Sequence, residues 1–324
     1  MRVGILVRKD VGRLEWAAKN KFGSIAWIGF DQSDCAPPHA EWKKPAEAFA
    51  AEAARRNLRL SAIGASYGNP LDPEKTEYHR AAFLRAIDVA AHLGVRTVAG
   101  FFGAVIELEK ARWGGHTVYK PFEDFMPRFR AFWEPIAKIA KDKGVRLAFE
   151  HCATGAFHLP VMNFNFMGRP AMWERVFNEI PCDNLGIEWD ASHLVCQFID
   201  PVANIHKFGG RIFHVHAKGA YVNRPLLAEF GICHPGVIEH RMPGFGEENW
   251  SEIVHALFRA GYDSDLNIEG WHDPVFRDHA DEPPADVKAA GRSRQAGQKL
   301  EEAGLLIARK HLERFIEGTE PAAS

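Results

Sequence analysis

The sequence predicts an α/β fold: a single (β/α)8 barrel (TIM barrel) with long strand-to-helix loops at the C-terminal face. Short runs rich in β-branched residues recur along the chain, and each is followed by a longer amphipathic stretch. This alternation is typical of βα units around a parallel sheet. Eight such units, joined by short connections on one side and long ones on the other, favour a closed barrel.

The eight predicted strands are spread over the whole chain. In order they are GILV near Val3, SIAWIGF from Ser24, LRLSAIGA from Leu58, VRTVAGFF from Val95, VRLAFE from Val145, NLGIEWD from Asn184, RIFHVHAK from Arg211 and DLNIEG from Asp265. No linker or longer internal repeat divides them, so one domain is expected over residues 1–324, with a frayed tail at 317–324.

The two kinds of connection differ in length and composition. Most helix-to-strand junctions are short and contain a glycine suited to a left-handed helix C-cap: Gly23, Gly94, Gly144, Gly209 and Gly261. The segments after the strands are longer, and irregular structure is expected at 101–122, 151–170, 218–249 and 270–285. Because strand-to-helix loops lie where barrels build their active sites, function is expected at that end.

The composition excludes several classes of protein. Among 324 residues, 40 basic and 42 acidic side chains give a net charge of -2, which offers no electrostatic footprint for nucleic acid or for an anionic membrane. No segment has the pattern of a signal peptide or a bilayer span, and the five cysteines form no CxxC pair. We therefore expect a cytoplasmic protein with reduced thiols that acts on a small molecule.

Four consecutive predicted strands end in a side chain that can bind a metal. They are Glu150 in AFEHC, Asp190 in IEWDASH, His216 in FHVHAK and Glu269 in NIEGW. The C-terminal ends of barrel strands converge on one axis, so these side chains are expected to meet. A single Glu or His at a strand end is more often a surface residue, but four in succession favour a metal site. Three carboxylates and one imidazole suit one divalent ion, with Mn²⁺ expected first and Mg²⁺, Co²⁺ or Zn²⁺ as alternatives.

Three further polar residues are predicted to lie one layer below these ligands. Glu188, His214 and Asn267 each precede a ligand by two positions, so strand alternation also turns them into the barrel. Barrel interiors are normally apolar, and buried polar residues here would orient the metal ligands. The alternative is an internal hydrogen-bond network without a metal. His151, next to Glu150, is expected to point away from the site.

The motifs FEH, WDASHL, FHVHAKG, RMPGFGEENW and NIEGWHDP resemble the sugar phosphate isomerase/epimerase group of xylose-isomerase-like barrels, which includes ketose 3-epimerases and inosose dehydratases. The resemblance covers nearly the whole chain and is most specific from Val145 to Pro274. It implies the four ligands named above, with Glu150 and Glu269 as acid and base on opposite faces of the substrate.

The same resemblance implies further substrate contacts. His193 matches a family histidine that reaches the substrate, and it is a candidate catalytic residue. Arg241 lies where the loop after the seventh strand often supplies a polar contact. Lys218 and Gly219 depart from the family pattern, which often has Glu or Asp shortly after the ligand histidine, and Lys218 is taken as a candidate substrate-binding residue.

Aromatic residues are frequent in the predicted loops, and sugars or glycosides stack on such faces. They are Phe101, Phe102, Trp113, Tyr119, Phe157, Phe164, Phe166 and Trp271. The alternative is a satellite core or a subunit interface, which would fit a homo-oligomer or an accessory subunit. Trp271 and His272 are candidate substrate contacts, and a surface position is the equal alternative for His272.

The implied reaction is proton abstraction beside a carbonyl through a metal-stabilised enediolate, which predicts a sugar isomerase or epimerase. If the anion expels a β-leaving group, the same site predicts a carbon–oxygen or carbon–carbon lyase or dehydratase, for example one that cleaves a 3-oxo-glycoside. An endonuclease IV-like nuclease is a remote alternative that the balanced charge disfavours. A non-catalytic scaffold barrel is disfavoured by the complete set of four ligands.

Overall fold

Eight parallel strands close into a barrel in the computed structural model of this chain. The structure describes residues 1–105, 107–110, 114–115, 117–120, 122–153, 165–232, 234, 236–278 and 299–316, without the side chains of 117–119 and 122–123. The predicted tail at 317–324 lies outside the described residues.

The strands and helices alternate as the sequence predicts. The strands are β1 (Val3–Val7), β2 (Ser24–Trp27), β3 (Arg59–Ser66), β4 (Thr97–Gly100), β5 (Leu108–Lys110), β6 (Thr117–Tyr119), β7 (Arg146–Glu150), β8 (Leu185–Asp190), β9 (Ile212–Ala217), β10 (Gly219–Val222), β11 (Ile238–Arg241) and β12 (Leu266–Ile268). The helices are α1 (Val11–Lys19), α2 (Lys43–Arg55), α3 (Thr76–Leu93), α4 (Met126–Asp142), α5 (Pro170–Glu179), α6 (Ala191–Val195), α7 (Pro201–Phe208), α8 (Arg224–Phe230), α9 (Trp250–Arg259) and α10 (Glu301–Ile316).

The barrel order is β1, β12, β9, β8, β7, β4, β3 and β2, and the predicted fold class is confirmed. All eight predicted strands are barrel strands. The parallel register brings the polar strand positions to neighbouring levels, because Glu188 pairs with both Glu150 and His214 while Asp190 and Asn267 both pair with His216. The register therefore gathers these side chains at one end of the barrel axis.

Two of the long segments contain regular structure that was not predicted. Within 101–122, β5 and β6 form an antiparallel pair, and within 218–249, β10 and β11 form another, with α8 between them. The expectation of irregular loops was wrong there, because strands of three or four residues are too short to show an alternating pattern. Antiparallel pairing satisfies their backbone groups.

The predicted glycine caps are correct for some junctions only. Gly94, Gly144 and Gly261 have φ values of 71°, 70° and 75° and end their helices in the left-handed region. Gly209 instead has φ -52° and ψ -38°, because a short 3-10 turn, Gly209–Arg211, continues the chain there. Gly23 is also not left-handed, since Lys21 takes the positive φ of 60° in that turn.

Large apolar side chains fill the layer between the barrel and its helices. Trp27, Trp133, Trp173, Trp189 and Trp250 are fully buried in this layer. Inside the barrel the apolar clusters are small, such as Ala99, Ala148 and Phe213, and they leave room for polar side chains. In the described part of the chain, no helix combines the length and apolar character needed to cross a membrane.

Candidate metal centre and active-site cavity

The four predicted ligands converge at the C-terminal end of the barrel. Glu150 ends β7, Asp190 ends β8, His216 lies near the end of β9, and Glu269 directly follows β12. Each offers a ligand atom, and these four atoms all lie within 4.8 Å of one another. All four residues are buried, with at most 6% of their surface exposed. Since β7, β8, β9 and β12 are neighbours in the barrel, Glu150 and Glu269 stand at the two ends of this arc.

The carboxylate of Asp190 has two separate tasks. Its Oδ1 accepts a hydrogen bond of 2.8 Å from the Ser192 backbone N–H and so caps α6. Its Oδ2 is buried without a hydrogen-bond partner of good geometry and faces the ligand cluster. The Asp190 backbone N–H donates to His151 Nε2 at 2.9 Å, and burial lowers the pKa of His151 to about 3. His151 therefore points away from the cluster as a neutral acceptor that holds the Asp190 backbone.

The ring of His216 is held between two groups of carboxylates. Its Nδ1 lies 3.2 Å from Glu150 Oε1 and 3.4 Å from Glu269 Oε2, while its Nε2 lies 3.0 Å from Glu188 Oε1. Although burial opposes protonation, the Glu188 charge raises the pKa of His216 well above its usual range. Nδ1 is the ring nitrogen that faces both Glu150 and Glu269, so it is the one that would bind a cation once its proton is displaced.

A column of hydrogen bonds continues below His216 into the barrel. His214 Nδ1 lies 2.7 Å from Glu188 Oε1, and His214 Nε2 lies 3.0 Å from Asn267 Oδ1. The Ser61 hydroxyl donates to Asn267 Oδ1 at 2.9 Å, and the Tyr67 hydroxyl donates to Glu188 Oε2 at 2.9 Å. Both nitrogens of His214 are thus engaged, which fits a supporting role better than metal ligation. The three residues Glu188, His214 and Asn267 thus form an internal hydrogen-bond network, and this network also contacts the predicted ligand His216.

Lys218 lies inside the ligand cluster rather than at its edge. Its Nζ is 2.6 Å from Glu269 Oε2 and 3.0 Å from Asp190 Oδ2, and the side chain is 2% exposed. Burial alone would lower the pKa of Lys218, but the charges of Asp190 and Glu269 raise it well above the usual range. The ammonium offsets one of the three carboxylate charges, and the oxygen-rich donor set around it suits a divalent cation. The donor set, with Asp190 Oδ2 facing the cluster, therefore fits such an ion.

Three histidines surround the cluster on its open side. His193 Nε2 lies 3.5 Å from both Glu150 Oε1 and Asp190 Oδ2. His272 Nε2 lies 3.2 Å from Glu269 Oε1 although its side chain is 51% exposed, so this residue joins the cluster to solvent. His240 was missed in the sequence; its ring centroid lies 5.2 Å from that of His193, and burial lowers its pKa well below the usual range.

A cavity of about 730 Å³ opens above the cluster. Trp271 and Phe101 line it, and Lys218, His193 and His272 line it as well. A larger depression of about 940 Å³ lies at the opposite end of the barrel but contains none of the predicted ligands. The cavity above the cluster is therefore the candidate site.

Arg241 is not among the described residues that line this cavity. Its Nε donates to Asp273 Oδ2 at 3.1 Å, and the Met242 backbone N–H donates to the same oxygen at 2.7 Å. Arg241 thus anchors the loop after β12 instead of making the predicted substrate contact. The ion pair with Asp273, which the sequence does not reveal, turns the side chain away.

The predicted loop aromatics separate into different classes. Phe102 and Phe166 belong to the core, with 0% and 2% exposure, because they pack on Phe129. Trp113, Phe157 and Phe164 and the side chain of Tyr119 lie outside the described residues. Tyr67, by contrast, was missed, although it follows the end of β3 much as the metal ligands follow or end their own strands.

The polar and charged neighbours of Glu150 and Glu269 favour the ionised form of both carboxyl groups. Burial raises the pKa of Glu150, but hydrogen bonds from His193 and His216 outweigh it and bring the pKa to about 2. Burial likewise opposes ionisation of Glu269, whereas the Lys218 charge lowers its pKa well below the usual range. Both groups are therefore charged at neutral pH and able to accept a proton or hold a cation.

Comparisons with known proteins show the family and agree with the barrel fold. The family model described as "Xylose isomerase-like TIM barrel" matches residues 14–296. The uncharacterized protein YfiH of Bacillus subtilis (strain 168) is 27% identical over 231 residues, which cover 66% of this chain and 72% of YfiH. The D-psicose 3-epimerase of Clostridium cellulolyticum H10, determined with D-tagatose, has a TM-score of 0.65 at 15% identity over 98% of this chain and 99% of that chain. The IOLI protein with a bound zinc atom has a TM-score of 0.61 at 14% identity over 97% and 99% of the two chains.

Proposed function

The chain belongs to the xylose-isomerase-like TIM-barrel family, and we propose that it is a divalent-metal-dependent sugar isomerase or epimerase. The observation that carries this proposal is the buried cluster of Glu150, Asp190, His216 and Glu269 below an open cavity. A structural ion-pair network would not require a cavity above it, whereas a catalytic site does.

Glu150 and Glu269 are the proposed proton-transfer groups. They stand on β7 and just after β12, at opposite ends of the ligand arc, so a sugar bound above the cluster would present one face to each carboxylate. Removal of a proton beside the carbonyl by one and its return by the other inverts a carbon, which is epimerisation. Return to the neighbouring carbon is isomerisation. His272, beside Glu269 and half-exposed, offers this carboxylate a route for exchanging its proton with solvent.

Lys218 is proposed to stabilise negative charge on the substrate. Its ammonium lies in the same cluster as both carboxylates and lines the cavity, so a sugar oxygen above it would receive a preorganised positive charge. His193, which also lines the cavity, is proposed to contact a substrate hydroxyl. A divalent cation, when bound, supplies a Lewis acid for the carbonyl oxygen. We propose Mn²⁺ because the donors are mainly carboxylate oxygens, with Mg²⁺, Co²⁺ and Zn²⁺ as alternatives.

A second candidate is β-elimination from a keto-sugar. The cavity has room beyond the cluster for a leaving group, and His240 and His272 line that region as proton donors or acceptors. The first chemical step would be the same proton abstraction, so the products decide between the two reactions. DNA is a weaker candidate, since the centre of the site is rich in carboxylates and the net charge is -2.

The test is proton exchange in D₂O with the Mn²⁺-loaded protein. Ketohexoses and keto-glycosides would be followed by proton NMR, which records loss of the C–H signal beside the carbonyl and identifies an epimer, isomer or elimination product. We expect exchange with at least one sugar and loss of net turnover in Glu150→Gln and Glu269→Gln. Glu247→Gln, which changes an exposed carboxylate paired with Arg224, is the matched control. Absence of exchange in the loaded wild type, or undiminished turnover in both variants, would overturn the proposal.

A further inference from the structure

The cavity has a second polar end on the opposite side of the barrel rim. We name it the distal pocket and define it by Asp31, Ser66, Gly68 and His79. Asp31 belongs to the 3-10 turn Phe30–Gln32 after β2, Ser66 ends β3, and His79 lies in the first turn of α3. None of these residues is part of the ligand cluster, and the proposed reaction uses none of them.

Hydrogen bonds set the orientation of His79 and the position of its proton. The Ser66 hydroxyl donates to Asp31 Oδ2 at 3.2 Å, and Ser66 Oγ lies 2.8 Å from His79 Nδ1. Because the hydroxyl proton is directed at the carboxylate, Ser66 Oγ accepts from a protonated Nδ1. Burial lowers the pKa of His79, so the ring is neutral and its Nε2 carries a lone pair.

This Nε2 acceptor is buried and faces the cavity without a partner. His79 is 4% exposed, and its Nε2 has no hydrogen-bond partner among the described residues. A buried acceptor left unpaired is costly, which points to a ligand that donates to it.

Gly68 leaves room beside this acceptor. A Cβ at this position would lie 2.5 Å from His79 Cε1 and 3.0 Å from His79 Nε2. The backbone of Gly68 is not among the positive-φ glycines, so an L-residue could adopt its conformation. The glycine is therefore required for space rather than for backbone geometry, because a side chain at this position would crowd the buried ring edge.

We propose that the distal pocket binds a second hydroxyl-bearing unit covalently linked to the reacting sugar, so that the substrate is a glycoside or a disaccharide-like keto-sugar. The inference rests on the proposed function for the reacting end. The Asp31 carboxylate and His79 Nε2 are acceptors for hydroxyl donors, and Arg8 and Gln32 at the rim of the same cavity can donate in return. The cavity of about 730 Å³ also exceeds what one free hexose fills and lies within the range of about 300–1,000 Å³ for drug-sized ligands.

The test measures binding rather than turnover. The Mn²⁺-loaded full chain is titrated calorimetrically with glucose, cellobiose, maltose and trehalose, none of which needs to react. We expect at least one disaccharide to bind the wild type about tenfold more tightly than glucose, as one or two added hydrogen bonds provide. His79→Leu and Gly68→Ala should both lose this preference, and thermal melting shows whether each variant is folded. His92→Leu, on the same helix but paired with Glu47 outside the cavity, is the matched control and should retain it.

Equal affinity of the wild type for glucose and all three disaccharides would overturn the inference. So would a preference that persists in both folded variants. Glu269→Gln separates this result from the proposed function, because it should lose net turnover and still prefer the disaccharide. A wild type that prefers a disaccharide but exchanges no proton with any sugar would reject the reaction and retain the pocket.

Discussion

At the ends of β7, β8, β9 and β12 the barrel carries three carboxylates and an imidazole, whereas β1 to β4 end in Val7, Trp27, Ser66 and Gly100. The two halves of the rim face the same cavity. In the half formed by β7, β8, β9 and β12, which we call the metal half, the polar groups project from the ends of strands, and opposite charges lie close together. In the half formed by β1 to β4 they come from a turn, the end of β3 and a helix, and His79 Nε2 has no partner among the described residues. We have proposed that one half holds charge for chemistry and that the other binds a neutral hydroxylated unit.

Among the substitutions that separate the two halves, Glu269→Gln is expected to have the largest effect on turnover. Removing this carboxylate deletes a proposed proton-transfer group, so kcat should fall by about 10²–10⁴-fold. Steady-state turnover of the sugar found by the exchange screen measures the effect. A fall of similar size in the exposed control Glu247→Gln would show that the loss is not specific to the metal half.

Lys218→Met tests whether the Lys218 ammonium offsets the charges of the Asp190 and Glu269 carboxylates in the metal half. Loss of the ammonium leaves the Asp190 and Glu269 carboxylates buried beside each other, which should cost about 3–5 kcal/mol of unfolding free energy without metal. Added Mn²⁺ should restore most of this stability. Urea unfolding with and without Mn²⁺ measures both values, with the exposed Lys207→Met as control. A variant as stable as the wild type in the absence of metal would contradict the charge balance.

His214→Leu tests the column that supports the metal half from below. Without the imidazole, Glu188 loses its 2.7 Å partner and holds His216 less firmly, so metal affinity should fall by about 10–100-fold. Competition with a chelator of known affinity measures this change. His206→Leu on the surface of α7 should not alter affinity, and an unchanged affinity in His214→Leu would mean that the column is only packing.

The smallest effect is expected at Glu248, which lies outside both halves of the cavity. Its carboxylate accepts from Ala220 N–H at 3.1 Å and from Trp250 Nε1 at 3.1 Å, and burial raises its pKa to about 7. A carboxyl whose pKa is raised on folding contributes stability that is present below its unfolded pKa and is lost as pH rises through about 7. The unfolding free energy should therefore fall by about 2 kcal/mol between pH 5 and pH 8, after allowance for solvent screening.

Urea unfolding of the wild type and of Glu248→Gln, each at pH 5 and pH 8, tests this expectation. The variant cannot titrate at this position, so its pH slope should be flatter whatever its absolute stability. Identical slopes in the two proteins would show that Glu248 keeps an ordinary pKa.

The two halves of the rim also differ in how much of each the sequence could predict. The eight strands and the four converging ligands were predictable because short buried runs, largely apolar, end in charged side chains, as at Glu150 and Asp190. Lys218 lies inside the cluster, and the ion pair with Asp273 holds Arg241 away from the cavity. Both positions depend on side-chain directions at loop ends, which the spacing of residues in the sequence does not encode. His79 was not predictable as a site residue, because it reads as an ordinary histidine in the first turn of a helix.

The central claim is that the cluster at the ends of β7, β8, β9 and β12 holds one divalent cation. Elemental analysis of the protein after Mn²⁺ loading and gel filtration, with Glu150→Gln measured in parallel, tests it most directly. The account predicts about one equivalent of metal per chain in the wild type. It also predicts loss of that metal in the folded variant. A wild type that retains no metal, or a variant that retains as much as the wild type, would contradict the claim.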